Sequence, residues 1–394
     1  MFETLKEQAP DKIMLLAGLY RADERDTKID LGVGVYKDAK GNTPIMRAVK
    51  TAEKQLWEQE TTKKYVALIG DGGFHSTMAD LVLGDAVARD RLAFAATPGG
   101  TGAIRQILEL IKAASPEATI WMSNPTWPNH PAMIKNLGIP SQTYSYLDPQ
   151  TQEVSFDTMM ADLDGVKAGD VVLLHGCCHN PTGANLNKEQ WGAVADLIEA
   201  KGAVPFIDIA YQGFGDGLSD DAYGTRLLAA RFPEMLIAAS CSKNFGVYRE
   251  RTGLVIAISA TPKATKLTQG MLSSLNRLNF SFPPDHGARL VTMVLSDDTL
   301  RTEWQTELED VRTGMLKLRQ QLADTLRQDT NSDRFDFVAN HRGMFSRLGL
   351  SPEQVERLRT EYAIYMIGDS RFNVAGLNST TVPVISKAIA DVIR

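Results

Sequence analysis

Apolar positions follow two different rhythms along this chain. Through its middle, short runs that are apolar nearly throughout alternate with longer segments whose apolar residues recur every three or four positions. The runs LAFAAT (92–97), ATIWMS (118–123), VVLLHGCC (171–178), VPFIDIAY (204–211), MLIAASC (235–241) and GLVIAIS (253–259) predict strands covered on both faces, as parallel strands are. Between them AIRQILELIKAA (103–114) and NKEQWGAVADLIEAKG (187–202) predict helices, the second ending in a Gly suited to a helix C-terminus. This alternation predicts an α/β layered architecture.

The flanks differ. Residues 286–328 predict one long or broken helix. Short strands follow at FDFVAN (335–340), IYMI (364–367) and RFNVAG (371–376), with a helix at SPEQVERLRTEY (351–362) and another at the end. That is the pattern of a smaller α+β domain, joined by an N-terminal strand IDLGVGV (29–35). The expected division is an arm over 1–12, a small domain from 13–43 and 311–394, and a large domain over 44–310.

Composition narrows the function without naming it. A chain of 394 residues, 43% apolar and 23% charged, is that of an ordinary globular protein with two or three domains. Forty-eight acidic against 42 basic residues give a net charge of −6, without the basic surplus of nucleic-acid or anionic-membrane binders. Three cysteines, two of them adjacent, make no disulfide framework and fit a reducing compartment. No apolar run approaches the roughly 20 residues of a membrane span, and the N-terminus lacks a signal peptide's basic start. A cytoplasmic enzyme is expected.

Several strand ends carry chemistry. TPGGTGAIRQ (97–106) runs from a strand through glycines into a helix, where free N–H groups and the helix dipole can seat a phosphate, or where the chain simply turns. Asp208 interrupts an apolar strand; it either caps the next turn or is an anion held inside for a protonated ring nitrogen. Lys243, just past a buried-type strand, must either pair or lose its proton readily and act as a nucleophile. Arg251, eight residues on, could reach an anion beside it. Trp127, held between prolines, is a stacking platform or plain packing.

His175, Cys177, Cys178 and His179 suggest zinc. In an extended strand, however, same-face residues stand roughly 6.6 Å apart, too far to close on one ion. No metal centre is expected. Ser240 and Lys243 match S-x-x-K, but the S-D-N and K-T-G partners of that motif are absent from the chain. A phosphate seat, a stacking ring, an internal carboxylate, a strand-end Lys and an Arg together suit pyridoxal phosphate.

In this order, TPGGTG, SNPTWPNH, HGCCHNPTG, FIDIAYQGF, SCSKNFG and ERTG resemble the aspartate/aromatic aminotransferases of the class I, fold-type I pyridoxal-phosphate enzymes, over nearly the whole chain. The resemblance implies a large domain with a mostly parallel seven-stranded sheet flanked by helices, a smaller α+β domain, and a homodimer with shared active sites. It implies that Lys243 forms the Schiff base with pyridoxal 5'-phosphate and later moves the proton. Asp208 would bind the pyridinium N–H, supported by His130. Tyr211 and Asn180 would bind the phenolic oxygen, and Trp127 would stack on the ring. Gly100, Thr101, Ser240 and Arg251 would hold the phosphate, with Tyr65 reaching over from the partner subunit. Arg371, in GDSRFNVAG, would clamp the substrate α-carboxylate, and Gly34 would line the entrance.

Arg277, in NRLNFSFPP (276–284), matches the residue sent across to a substrate's distal carboxylate, which argues for aspartate, glutamate and 2-oxoglutarate. Phe280 and Phe282 stand where aspartate-selective members are more polar, whereas Lys37 and Thr43 look aspartate-like. The expected enzyme therefore moves amino groups of both aromatic and dicarboxylic amino acids to 2-oxo acids. The alternatives are a strictly aspartate-selective aminotransferase or a β-lyase on the same cofactor.

Overall fold

The computed structural model describes residues 1–7, 10–38 and 41–394. Its strands, in chain order, are β1 (Ile29–Asp30), β2 (Leu92–Pro98), β3 (Ile120–Asn124), β4 (Ser141–Ser145), β5 (Val171–His175), β6 (Val204–Ile209), β7 (Met235–Ser240), β8 (Thr252–Ile258), β9 (Phe345–Arg347), β10 (Ile364–Tyr365) and β11 (Arg371–Asn373). Strands β2 to β8 form one seven-stranded sheet in the order β2-β8-β7-β6-β5-β3-β4. Strand β8 runs against β2 and β7, and the other pairings are parallel.

The apolar runs became this sheet because both of its faces are covered. In β5, Val171 and Leu173 join the core under the helices Gly99–Ala114 and Pro262–Asn279, while Val172 and Leu174 join the larger core on the opposite side. Each such side chain, taken fully from water, contributes about 1.5–3 kcal/mol. Strand β4 was not predicted: it is an edge strand of sequence SQTYS, exposed except around Tyr144, and so lacks an apolar run.

Helix ends follow local chemistry. Asn187 and Gln190 form a capping box at the start of Lys188–Lys201, and Gly202 closes it at φ 66°. The long helical stretch breaks at Asp297, whose carboxylate caps Thr299 and Leu300, giving His286–Ser296 and Asp298–Thr330.

Three expectations need correction. FDFVAN is not a strand: Phe335 and Val338, three apart and both fully buried, are joined by a turn (Val338 N donates to the Phe335 carbonyl at 3.1 Å) that leads into the helical turn Phe337–Asn340. IDLGVGV pairs with β10 only at Ile29–Asp30; beyond Leu31, the side-chain amide of Asn373 holds the backbone oxygens of Val33 and Val35, at 2.6 and 2.8 Å. VVLLHGCC leaves the sheet at His175, so alternation does not continue through the cysteines.

The helix Asp298–Thr330, roughly 50 Å long at 1.5 Å per residue, ties the parts together. Near its start Trp304 stacks on Phe245 at 4.5 Å and donates to the Asn244 carbonyl at 2.7 Å. Its later turns pack on the helix Thr381–Val392 and, through Arg319, reach β9, which pairs antiparallel with β11. At the N-terminus Phe2–Thr4 form an exposed turn, and Asp11 caps Lys12–Ala22. Among the described residues, no helix is long and apolar enough to cross a membrane.

Candidate active site

A cavity of about 230 Å³ opens at the edge of the sheet where the parallel strands end. This is where open α/β sheets bind ligands, since successive loops diverge there. Strand β2 delivers Gly100 and Thr101 at the first turn of Gly99–Ala114, where backbone N–H groups lack helical partners. Because β8 runs in reverse, its beginning lies at the same edge and brings Arg251 beside them. The approach is close: Gly99 has φ 71°, donates to the Arg251 carbonyl at 2.8 Å, and a Cβ on it would lie 2.4 Å from Arg251 Nη2. Ser240, at the end of β7, and Ser242 complete a concave wall of hydroxyl, amide and guanidinium donors fit for an anion.

Across the cavity, Asp208 accepts from or shares a proton with His130 at 3.0 Å through Oδ2. The fully buried His130 meets Thr126 Oγ1 at 2.8 Å, and Thr126 meets His175 at 3.1 Å. Burial depresses His175 to about 3, so that ring is neutral. Among the described residues the Asp208 carboxylate caps no turn. Its Oδ1 has no hydrogen bond among the described residues, and the residue faces the cavity. Trp127 lies on the same wall, edge-on to His130 at 5.3 Å.

Lys243 stands between these walls. Its Nζ donates to the Gly34 carbonyl at 3.1 Å and lies 5.7 and 5.2 Å from the rings of Tyr211 and Tyr248. Burial, then the charges of Arg251 and Arg371, lower its pKa to about 8. Burial also raises the Tyr211 phenol, keeping it protonated. Arg371 sits over the Phe345 ring, 4.7 Å from guanidinium to ring centre, and is 5% exposed. Its guanidinium has no ion pair or hydrogen bond among the described residues, and burial lowers its pKa.

The structure thus gathers Gly34, Gly100, Thr101, Trp127, Asn180, Asp208, Tyr211, Ser240, Lys243 and Arg251 at or beside one cavity, with Arg371 next to it. Tyr65 and Arg277 lie elsewhere: Tyr65, 83% exposed, stacks on Phe282 at 4.6 Å, and Arg277 sits over the same ring at 5.7 Å. Lys37 pairs with Asp30 at 2.8 Å. The four residues that suggested zinc split into two groups: the His175 and His179 rings lie 4.2 Å apart, and the two thiols lie together. His179 bonds Ser123 and Thr182, while the thiols gather near Asp221, whose oxygens already accept the amides of Gly213, Gly215 and Asp216. Sequence reasoning passed over Tyr248, Thr126 and Phe345. Thr126 and His130 are four apart in one motif, a usable signal; Phe345 had none, because its ring reaches the site only through the fold.

Three unspent polar groups fit pyridoxal phosphate. Among the described residues, Asn180 Oδ1 is buried without a partner, Asp208 Oδ1 has no hydrogen bond, and Arg371 is a buried cation with no ion pair. Together with the anion seat they complement a ring nitrogen, a phosphate and a carboxylate.

Such a site suits an enzyme that handles amino groups with pyridoxal phosphate. Residues 26–389 match the model of the family "Aminotransferase class I and II", and the chain belongs to that family. It is 57% identical over the full length of both chains to an aromatic-amino-acid aminotransferase of Paracoccus denitrificans. It is 41% identical, again over the full lengths, to the aspartate aminotransferase of Escherichia coli. Among solved structures, an aromatic amino acid aminotransferase with 3-indolebutyric acid superposes with a TM-score of 0.98 at 57% identity, covering all of both chains. One from Burkholderia pseudomallei, covalently bound to pyridoxal phosphate, superposes at 0.97 with 37% identity and the same coverage. The protein is an aminotransferase, acting on amino acids and 2-oxo acids, of a family that depends on pyridoxal phosphate.

Proposed function

We propose that this chain uses pyridoxal 5'-phosphate at the Lys243 cavity to move amino groups of both aromatic and dicarboxylic amino acids to 2-oxo acids. Bound there, the cofactor supplies an aldehyde that captures the amine and a ring that accepts an electron pair from Cα. Lys243 would hold the aldehyde and carry a proton; its lowered pKa supports this, since a neutral amine is both nucleophile and base. Asp208, positioned by the His130–Thr126–His175 chain, would fix a proton on the ring nitrogen. Asn180 and Tyr211 would hold the phenolic oxygen, Trp127 the ring face, and Gly100, Thr101, Ser240 and Arg251 the phosphate. Arg371 would take the substrate's α-carboxylate as a bidentate fork.

The observation that carries this reading is Lys243 lying between an anion seat and a carboxylate held by a buried histidine. Specificity rests on the partner subunit. Tyr65 and Arg277 share an exposed cluster outside this chain's own cavity, which supports a homodimer in which each chain completes the other's site, Tyr65 at the phosphate and Arg277 at the distal carboxylate. Phe282 beneath Arg277 supports a surface that receives aromatic side chains as well. The relatives point the same way: one is named for aromatic amino acids and another for aspartate. Initial rates with phenylalanine and with aspartate, each against 2-oxoglutarate, test the proposal. Transfer from both supports it; transfer from aspartate alone leaves a strictly aspartate-selective enzyme. Pyruvate or ammonia released without a 2-oxo acid indicates a lyase instead.

A further inference from the structure

Arg319 is fully buried on the helix Asp298–Thr330, far along the chain from every residue assigned above, and no carboxylate pairs with it among the described residues. A guanidinium without a counter-ion in that setting is costly, and burial pulls its pKa down to about 9. Its hydrogen bonds all go to one loop. Nη1 donates to the Val338 carbonyl at 3.2 Å and Ser346 Oγ at 2.7 Å; Nη2 donates to the carbonyls of Gly343 and Phe345, both at 2.8 Å, and more weakly to Arg342 at 3.4 Å. One planar fork therefore fixes both ends of the segment 338–346.

That segment is wedged against the cavity wall. Arg342 N donates to the Gly183 carbonyl at 2.8 Å, and a Cβ on Gly183 would lie 2.2 Å from the Phe345 carbonyl oxygen, so the loop touches the chain just beyond Asn180. The Phe345 ring then meets three parts of the site at once. Arg371 lies over its face at 4.7 Å, and Tyr211 is edge-on at 6.2 Å. A Cβ on Gly34, whose carbonyl accepts from Lys243, would lie 3.1 Å from it. Arg371 makes no ion pair among the described residues, so this ring is the close neighbour over which its guanidinium sits.

We propose that Arg319 is a positioning residue for carboxylate recognition: by clamping the loop 338–346 it sets the Phe345 ring as the platform that aims Arg371 at the substrate. The inference rests on the proposed role of Arg371. A lysine at 319 offers donors from a single point and cannot serve acceptors on both sides of the fork, so buried carbonyls are left unpaired and the loop shifts.

The test is a double-mutant cycle on the cofactor-loaded protein, using Arg319→Lys, Phe345→Leu and the pair. Calorimetric titration with succinate and with 3-phenylpropionate, which carry no amine and cannot react, reads carboxylate affinity directly. Arg319→Lys and Phe345→Leu are each expected to weaken both ligands by about tenfold, and the double variant by no more than about twofold beyond the weaker single, because one path is broken twice. KM for both amino acids should rise with kcat held within about threefold, a split that general loosening of the fold does not produce. If Arg319→Lys does not accumulate as folded protein, Ser346→Ala removes one of the fork's acceptors, along with the Ser346–His341 contact, and should shift affinity in the same direction. Affinity within twofold of wild type for the Arg319 or Ser346 variant, or losses that multiply in the double variant, overturns the proposal. A wild-type protein that binds neither ligand overturns the role of Arg371 and this inference with it.

Discussion

Burial and two neighbouring guanidinium groups, Arg251 and Arg371, all push the Lys243 amine toward its neutral form. With a pKa of about 8, roughly one amine in ten is neutral at pH 7, against about one in three thousand for an ordinary lysine. Capture of pyridoxal phosphate by the cofactor-free protein should therefore quicken about tenfold per pH unit up to about 8 and then level off. A rate still climbing toward pH 10, read by stopped-flow absorbance, would mean an exposed lysine. Asp208→Asn removes the carboxylate proposed to face the ring nitrogen, and cofactor affinity should fall roughly 10- to 100-fold in absorbance titrations, the worth of a hydrogen bond to a charged group. Lys243 and Asp208 were legible in sequence because each is a charge in an apolar strand or at its end. The Thr126–His175 link was not, since it depends on β3 and β5 lying side by side.

The turn between β2 and the helix Gly99–Ala114 shows how an element makes an anion seat. Gly99→Ala would place a Cβ in the left-handed region, about 1–2 kcal/mol unfavourable, and against Arg251 Nη2. Expected are a lower urea midpoint and weaker binding of inorganic phosphate by the cofactor-free protein; loss of stability with phosphate binding intact would separate the turn from the seat. The strands were readable because burial on both faces removes polar residues from them. Edge strand β4 has one buried face at most and reads as loop, and FDFVAN alternates like a strand while its buried residues follow a helical spacing. Elements whose partners lie far along the chain, such as the loop clamped by Arg319, leave no local pattern.

Tyr65 and Arg277 make the assembly a chemical matter. If Arg277 acts across a subunit boundary, Arg277→Ala should cut kcat/KM for aspartate by about 100-fold, about two charge-assisted hydrogen bonds, while phenylalanine changes by less than about threefold. Refolding Arg277→Ala together with Lys243→Ala as an equal mixture should then restore about a quarter of wild-type aspartate activity, since half of the dimers are mixed and each holds one complete site. No recovery on mixing would place Arg277 in its own chain's site. The α/β architecture was legible from strand–helix alternation alone, whereas the residues proposed to serve a partner, exposed side chains around Phe282, carry no burial or spacing signal.

One cavity serving two kinds of amino acid is most directly tested by the visible spectrum of the cofactor-loaded protein, titrated separately with aspartate and with phenylalanine in the absence of any 2-oxo acid. Both titrations should abolish the band of the lysine-bound cofactor. A band that survives phenylalanine at every concentration would contradict the dual specificity, and a protein that shows no such band after cofactor is added would contradict the assignment of Lys243.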